Sequence, residues 1–288
     1  RTRYASGSDD RLPFEDPLLH LLLGDAQEVT PEGETLVMLT DGVLSQLPFA
    51  ALRTGGKWLI EQHALRFAES LTGLVTPEPA VPNSVAQRVV VVGAPAHDPQ
   101  LFPELVPLRY AEGEAERVSA EYPASLLVTG RAATRIEVVQ SLAGAELLHF
   151  AGHASISPVA PERSHLVLAT SGGDREDNVL SGAVIRRMDL RRLALAVLSS
   201  CGTQSRVSSR VADVQGLSRA FLDAGTRVVV SSLWELDDAG ATPLMVDFHG
   251  KVLKGMSPSQ ALAAAQREAI RGRSVGVRTW GAFRVDAR

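Results

Sequence analysis

Apolar residues in this chain fall into short, almost unbroken runs separated by stretches with helical spacing. The runs RVVVVG (88–93), SLLVTG (125–130), ELLHF (146–150), LALAVLSS (193–200) and TRVVVSSLW (226–234) are each too short for a free-standing helix. Near-continuous apolar character over that length predicts parallel strands covered on both faces. Between them, YAEGEAERVSAEY (110–122) and ATRIEVVQSLAG (133–144) predict helices, the second starting at Thr134 and stopped by Gly144. VQGLSRAFLDAG (214–225) predicts a third, capped by Asp213 and ended at Gly225. Strand alternating with helix is the pattern of a doubly wound, mostly parallel sheet. HLVLAT and NVLSG flank the turn SGGDRED and predict a small antiparallel excursion. A later helix, from about Ala239 to Leu253, carries Leu244, Met245, Phe248 and Val252 and closes at Gly255. The last begins with Ser257 as cap, Pro258 in the first turn and Gln260 three residues on.

The first part of the chain is patterned differently. DPLLHLLL (16–23) predicts a helix ended by Gly24, TLVMLT (35–40) a strand, and LPFAAL (47–52) a helical turn. GGKWLIEQHALRFAES (55–70) predicts a hairpin turning at Gly55 and Gly56, with alternating arms. TPEPAVPNS (76–84) holds three prolines and no apolar period, so it reads as a linker. The polar opening RTRYASGSDDR reads as another, as if a domain had been cut from a longer chain. The expected organisation is a linker over 1–14, a small N-terminal part over 15–84 and a larger part over 85–288.

Candidate chemistry lies where two of the predicted strands end. The strand ELLHF leads into AGHAS with His153, and LALAVLSS leads into CGT with Cys201, the only cysteine. Ligands of an open α/β sheet bind in the crevice at the carboxyl ends of its strands. An imidazole and a thiol on one rim are the components of a nucleophilic dyad, in which the base draws the proton off sulfur. The residues stand 48 apart, close to the spacing in caspases. His153 is set apart from the other six histidines by its place in a glycine-bearing stretch at a strand end. GAPAHDP after the first run lacks the second and third glycines of a dinucleotide fingerprint.

Composition narrows the rest. With 288 residues, 45% hydrophobic, the chain is globular, and a net charge of −4 offers no field for nucleic acid or an anionic membrane. No apolar run reaches the length of about 20 residues needed to span a bilayer. One cysteine forms neither an internal disulfide nor a thiolate zinc cluster, so no metal or other cofactor is expected. With no leader-like segment, the expected compartment is a reducing cytoplasm. The arginines at 186, 187, 191 and 192 read as a solvated helix face, and Trp58, Trp234 and Trp280 as core.

LLHFAGHA, VLSSCGT, GLSRAFLDAGTRVVVSSLWELDD, LMVDFHGKVLKGMSPSQALAAAQ and TWGAFRV together resemble the successive blocks of a CHAT domain, a bacterial relative of caspases and separases. LVMLTDGVLSQLPFAALRTGGKWLIEQHALRFAESLTGL resembles that family's leading region, so the likeness runs from about residue 15 to 285. It implies a caspase-like α/β/α sandwich with a mostly parallel sheet, preceded by a small N-terminal companion unit. It also implies a His153–Cys201 dyad and an oxyanion hole made by the backbone amides of Ala154 and Cys201. The implied reaction is peptide-bond hydrolysis after a selected side chain. Ala154 stands where the family often has glycine, and Ser200 and Gly202 flank the cysteine where it often has alanine and an acid or glutamine.

TRVVVSSLW resembles the strand that pairs with substrate in caspase-like enzymes, which makes Ser232, Leu233 and Trp234 contact residues. WELDD resembles the WDVTD block of separases, whose acid reads arginine, so Glu235 or Asp238 is expected beneath a basic side chain. The competing account is that Asp237 or Asp238 simply caps the next helix. The expected function is a cysteine endopeptidase acting on a protein or peptide, regulated by a sensor or repeat domain outside this chain. Family members are commonly tied to bacterial defence. The alternative is a catalytically silent module that binds a peptide along the same sheet.

Overall fold

The computed structural model describes residues 15–24, 30–79, 81, 88–157, 160–202, 215–234, 236 and 238–288, with backbone alone at 15–18, 54, 201, 202, 215, 238 and 239. Twelve strands form among these residues. They are β1 Thr35–Met38, β2 Arg53–Thr54, β3 Lys57–Trp58, β4 Ala64–Ala68, β5 Val89–Gly93, β6 Leu126–Thr129, β7 Leu147–Ser155, β8 His165–Val167, β9 Val179–Ser181, β10 Leu195–Gly202, β11 Val228–Ser232 and β12 Phe283–Ala287. The longer helices are α1 Glu15–Leu23, α2 Ala111–Ala120, α3 Arg135–Leu142, α4 Gln215–Asp223, α5 Asp238–Leu253 and α6 Pro258–Gly272.

The main sheet runs in the order β1-β4-β12-β11-β10-β7-β5-β6. Its neighbours are parallel except β12, which is antiparallel to β11 and parallel to β4. β8 and β9 form the expected antiparallel excursion from the end of β7. Two apolar layers hold the sheet. On one face Val118, Leu244, Met245, Phe248 and Leu262 from α2, α5 and α6 pack with Val91, Leu147, Val197 and Val230. On the other, Val138, Leu142, Leu217 and Phe221 from α3 and α4 pack with Val90, Leu148, Phe150 and Leu198. Alternate strand residues thus serve opposite layers, as buried parallel strands require. Each fully buried Val, Leu or Phe contributes about 1.5–3 kcal/mol.

The start of the chain, expected as a small N-terminal companion unit, adds its strands to this sandwich. β1 and β4 extend the same sheet, with β12 as the joint between them and β11. Leu36, Phe49, Leu59 and Phe67 belong to the apolar cluster that holds α5 and α6. Polar ties cross the expected boundary as well. Arg284 on β12 donates to the Ser45 carbonyl at 2.5 Å and stacks 3.8 Å over the Phe67 ring. Arg267 on α6 donates to the Ile60 carbonyl at 2.6 Å. The predicted hairpin stops at Trp58, where Leu59–Gln62 winds into a helical turn held by the Trp58 amide on the Glu61 carboxylate at 2.7 Å. Leu59 and Ile60 are thereby buried, and β4 leaves to join the main sheet. Among the described residues no helix is long and apolar enough to cross a membrane.

Candidate functional site

β5 connects to β6 on one side and the chain then returns to β7 on the other, so the direction of winding reverses between β5 and β7. A crevice at the carboxyl ends of the strands is expected at such a switch point. β7 and β10 run in parallel beside it, and their ladder pairs Ser199 with Ala151, Ser200 with Gly152, Cys201 with His153 and Gly202 with Ala154. The two predicted residues are therefore Cα partners at one register of adjacent strands. The position of Cys201 is known here at the level of its backbone.

His153 is 5% exposed, and its Nε2 lies 2.8 Å from the carbonyl oxygen of Val106. A carbonyl only accepts, so Nε2 carries the proton and donates. Nδ1 is buried and has no partner among the described residues, which leaves it as the nitrogen able to take up a proton. Burial is the largest influence on the ring and drives its pKa down to about 4; a charge on nearby His97 acts in the same direction, and the Val106 bond opposes both. A neutral imidazole with one tied nitrogen and one open lone pair has the chemistry of a general base.

The loop from Ala94 to Tyr110 supplies both neighbours of this ring, and neither was singled out from the sequence. His97 lies edge-on to His153, with ring centroids 5.2 Å apart at 82°. The loop is fixed at its root: the Ala94 amide donates to the Ala151 carbonyl at 2.8 Å and the Ala96 amide to the Gly130 carbonyl at 3.0 Å. Ala94 takes a φ of 43° to make the turn. Gly152 permits the approach, because a Cβ there would stand 2.8 Å from the Phe150 ring and 3.0 Å from Pro95. The one signal in the sequence was the glycine of AGHAS, whose partner in space could not be read from it.

The proposed oxyanion residue Ala154 is buried and lies between β10 and β8, opposite Gly202 and Leu166. It is not among the residues with positive φ, so alanine meets no backbone penalty here. β11, the strand expected to meet substrate, is flanked by β10 from Val228 to Ser231 and by β12 from Val228 to Ser232. A peptide has no free edge to join between Val228 and Ser231. Ser232 is buried and donates to the Ser200 carbonyl at 3.0 Å, which ties the end of β11 to the residue before Cys201. Leu233 donates its amide to the Ala282 carbonyl at 2.8 Å, and Trp234 its indole N–H to the Arg278 carbonyl at 2.7 Å. Glu235 and Asp237 lie outside the described residues; Asp238 is the first residue of α5. The polar segment 203–214 and the Asp213 cap also fall outside them.

A second histidine of β7, His149, belongs to a chain buried beneath the rim. Tyr122 Oη is 2.8 Å from His249 Nδ1, His249 Nε2 is 3.1 Å from His149 Nδ1, and His149 Nε2 is 3.1 Å from Glu114 Oε1. Burial holds the Tyr122 pKa up and the His249 pKa well below its usual value, so the phenol keeps its proton and His249 stays neutral. Donation from Tyr122 through both rings to the carboxylate satisfies each contact in turn. Among the described residues no group of three or more His, Cys, Asp or Glu stands where it could share a metal ion.

Known proteins resemble this chain in sequence or in fold. The chain is 27% identical over 272 residues to tetratricopeptide repeat protein 28 of Homo sapiens and 24% identical over 274 residues to that of Mus musculus. Each alignment covers 81% of this chain but 11% of the relative, so the chain spans about a tenth of their length. Among solved structures, the separase in a Saccharomyces cerevisiae separase–securin complex superposes with a TM-score of 0.55 at 13% identity, over 98% of this chain and 18% of that one. The Arg specific cysteine proteinase gingipain R superposes with a TM-score of 0.51 at 10% identity, over 98% of this chain and 68% of that one. Likeness at such identities shows a shared fold, an α/β architecture around a mostly parallel sheet. The CHAT domain model matches residues 11–287, the whole sandwich from α1 to β12, and the chain belongs to that family.

Proposed function

We propose that the chain is a cysteine endopeptidase in which Cys201 is the nucleophile and His153 the general base and acid. The observation that carries this reading is the register of β7 and β10, with the two residues as Cα partners and the His153 ring tied at Nε2 but open at Nδ1. In the first step Nδ1 takes the thiol proton as sulfur attacks the scissile carbonyl carbon. The carbonyl π electrons move to oxygen, where the backbone amides of Ala154 and Cys201 are assigned to receive the charge. The imidazolium then passes its proton to the amine as the C–N bond breaks, leaving a thioester. Water hydrolyses that thioester with His153 again as base.

The substrate is taken to run past Leu233 and Trp234 and not along β11, whose edges are filled. Glu235 or Asp238 is assigned to a basic side chain before the scissile bond. The name of the gingipain neighbour, an Arg specific proteinase, supports that assignment. Regulation by a partner or by repeats finds support in the names of two relatives, one a repeat protein and the other solved in complex with securin. The test is a fluorogenic peptide library on the wild-type chain and on Cys201→Ala. Cleavage after Arg or Lys by the wild type alone is expected. Full activity in Cys201→Ala overturns the nucleophile, and indifference to Arg and Lys removes the acidic pocket. The silent-module reading predicts instead that a thiol-reactive peptide electrophile labels Cys201 no faster than free thiol.

A further inference from the structure

His97 has no part in the steps above, yet its ring lies edge-on against the His153 ring. Its position is built by the fold on both sides. The Ala96 carbonyl accepts from the Thr170 amide at 3.0 Å, and the Asp98 amide donates to Thr170 Oγ1 at 2.8 Å. The His97 ring also stands edge-on to Phe102, centroids 6.1 Å apart at 85°, and Phe102 is fully buried. One loop thus grips His153 twice, through the Val106 carbonyl at Nε2 and through the His97 ring. Resting on the peptidase reading, we propose that His97 is a positioning residue for His153. It fixes the imidazole edge-on at the rim and opposes a positive charge on it, so that His153 meets the Cys201 thiol as a neutral base.

Of the groups around His153, His97 is the one whose charge would oppose a charge on the ring. Burial disfavours the imidazolium first, His97 comes second, and the Val106 carbonyl acts in the opposite sense. Among the described residues no other charged side chain is found to act on the ring. The Cα of Cys201 is the partner of the His153 Cα on β10. Two imidazolium ions this close repel, so a cation at His97 disfavours one at His153. A preformed thiolate–imidazolium pair is disfavoured for the same reason, and proton transfer coincides with attack on the carbonyl. No oxidant or further reactant enters: the thiol proton reaches Nδ1 as the S–C bond forms.

The test uses His97→Phe, which keeps an edge-on ring without the charge, and His97→Gln, which removes both ring and charge. In a Cys201→Ala background, NMR of the His153 ring follows its acid titration, independently of any cleavage. Both variants are expected to move that titration upward by about half a pH unit or more, the scale on which one like charge acts. In chains with Cys201 intact, the acid limb of kcat/KM should move upward with it. For His97→Gln, kcat should also fall about tenfold at unchanged KM, as for an ill-placed base. An unmoved His153 titration in both variants overturns the proposal whether or not the chain cleaves peptides. Failure of the peptidase reading is a separate outcome, seen as ordinary thiol reactivity of Cys201 in the wild type.

Discussion

His149 and His153 lie four residues apart on β7, on one side of its pleat, and the fold treats them in opposite ways. His149 is sealed, with both nitrogens used in a chain from Tyr122 to Glu114. His153 has one nitrogen tied to Val106 and one without a partner among the described residues. A buried polar atom left open costs stability; His63 and His165 each carry one as well, but His153 is the one whose Cα pairs with that of Cys201. Histidine identity is the same at both positions. Under the proposed function, the open nitrogen together with the Cys201 register separates His153 from His149.

The sharpest way to break this contrast is to remove each ring and read two properties. His153→Ala and Cys201→Ala are each expected to lower peptidase activity by at least about a thousandfold, as loss of a base or nucleophile does. His153→Ala should cost about 1–2 kcal/mol of stability, because it loses one hydrogen bond and the packing of the ring but also removes the unpartnered Nδ1. For His149→Ala the prediction is reversed in emphasis. It leaves Glu114 and His249 buried without their partner, and denaturant unfolding should show a loss of about 3 kcal/mol. Equal stability losses in the two histidine variants would contradict the contrast.

Gly152→Ala acts one step away, on the surface against which the His97 loop lies. The new Cβ would press on the Phe150 ring and on Pro95, so a cost of about 1–3 kcal/mol is expected by thermal or chemical unfolding. An unchanged midpoint would show that the loop does not need this approach.

pH should separate the rings as well. His153 titrates at 6.5 when unfolded and near 4 when folded, so between those values the unfolded chain binds more protons. Its contribution is fully present above pH 6.5 and is lost as pH falls toward 4. Measured stability should therefore drop across that window, and less steeply in His153→Ala. Tyr122→Phe is the mildest change. It removes one donor to His249 and is expected to cost about 1 kcal/mol with activity retained.

Much of the rim was legible in advance because its signal is local. Unbroken β-branched runs marked β5 and β11, but the glycine after ELLHF does not end its strand: β7 runs on to Ser155 and β10 to Gly202, so His153 and Cys201 lie inside the paired ladder and not just past it. What escaped is what depends on distant chain. β12 is a five-residue strand whose partners are β11 and the far-off β4, so nothing near Phe283 announces that it joins the two ends of the chain. The arm 59–70 read as one strand, yet Leu59 and Ile60 find a core only when the chain coils there. Val106 acts through a carbonyl, which every residue possesses, and so leaves no mark in the sequence. His97 reaches His153 because a loop settles on Gly152, a closeness set by packing alone.

The central claim concerns proton transfer between two strands, and the rate at which a peptide electrophile alkylates Cys201 measures it without knowledge of the natural substrate. Wild-type protein should react at least about a hundredfold faster than a free thiol at neutral pH, and His153→Ala should fall back to the free-thiol rate, while His149→Ala that remains folded keeps the fast rate. Identical rates in wild type and His153→Ala would contradict the account.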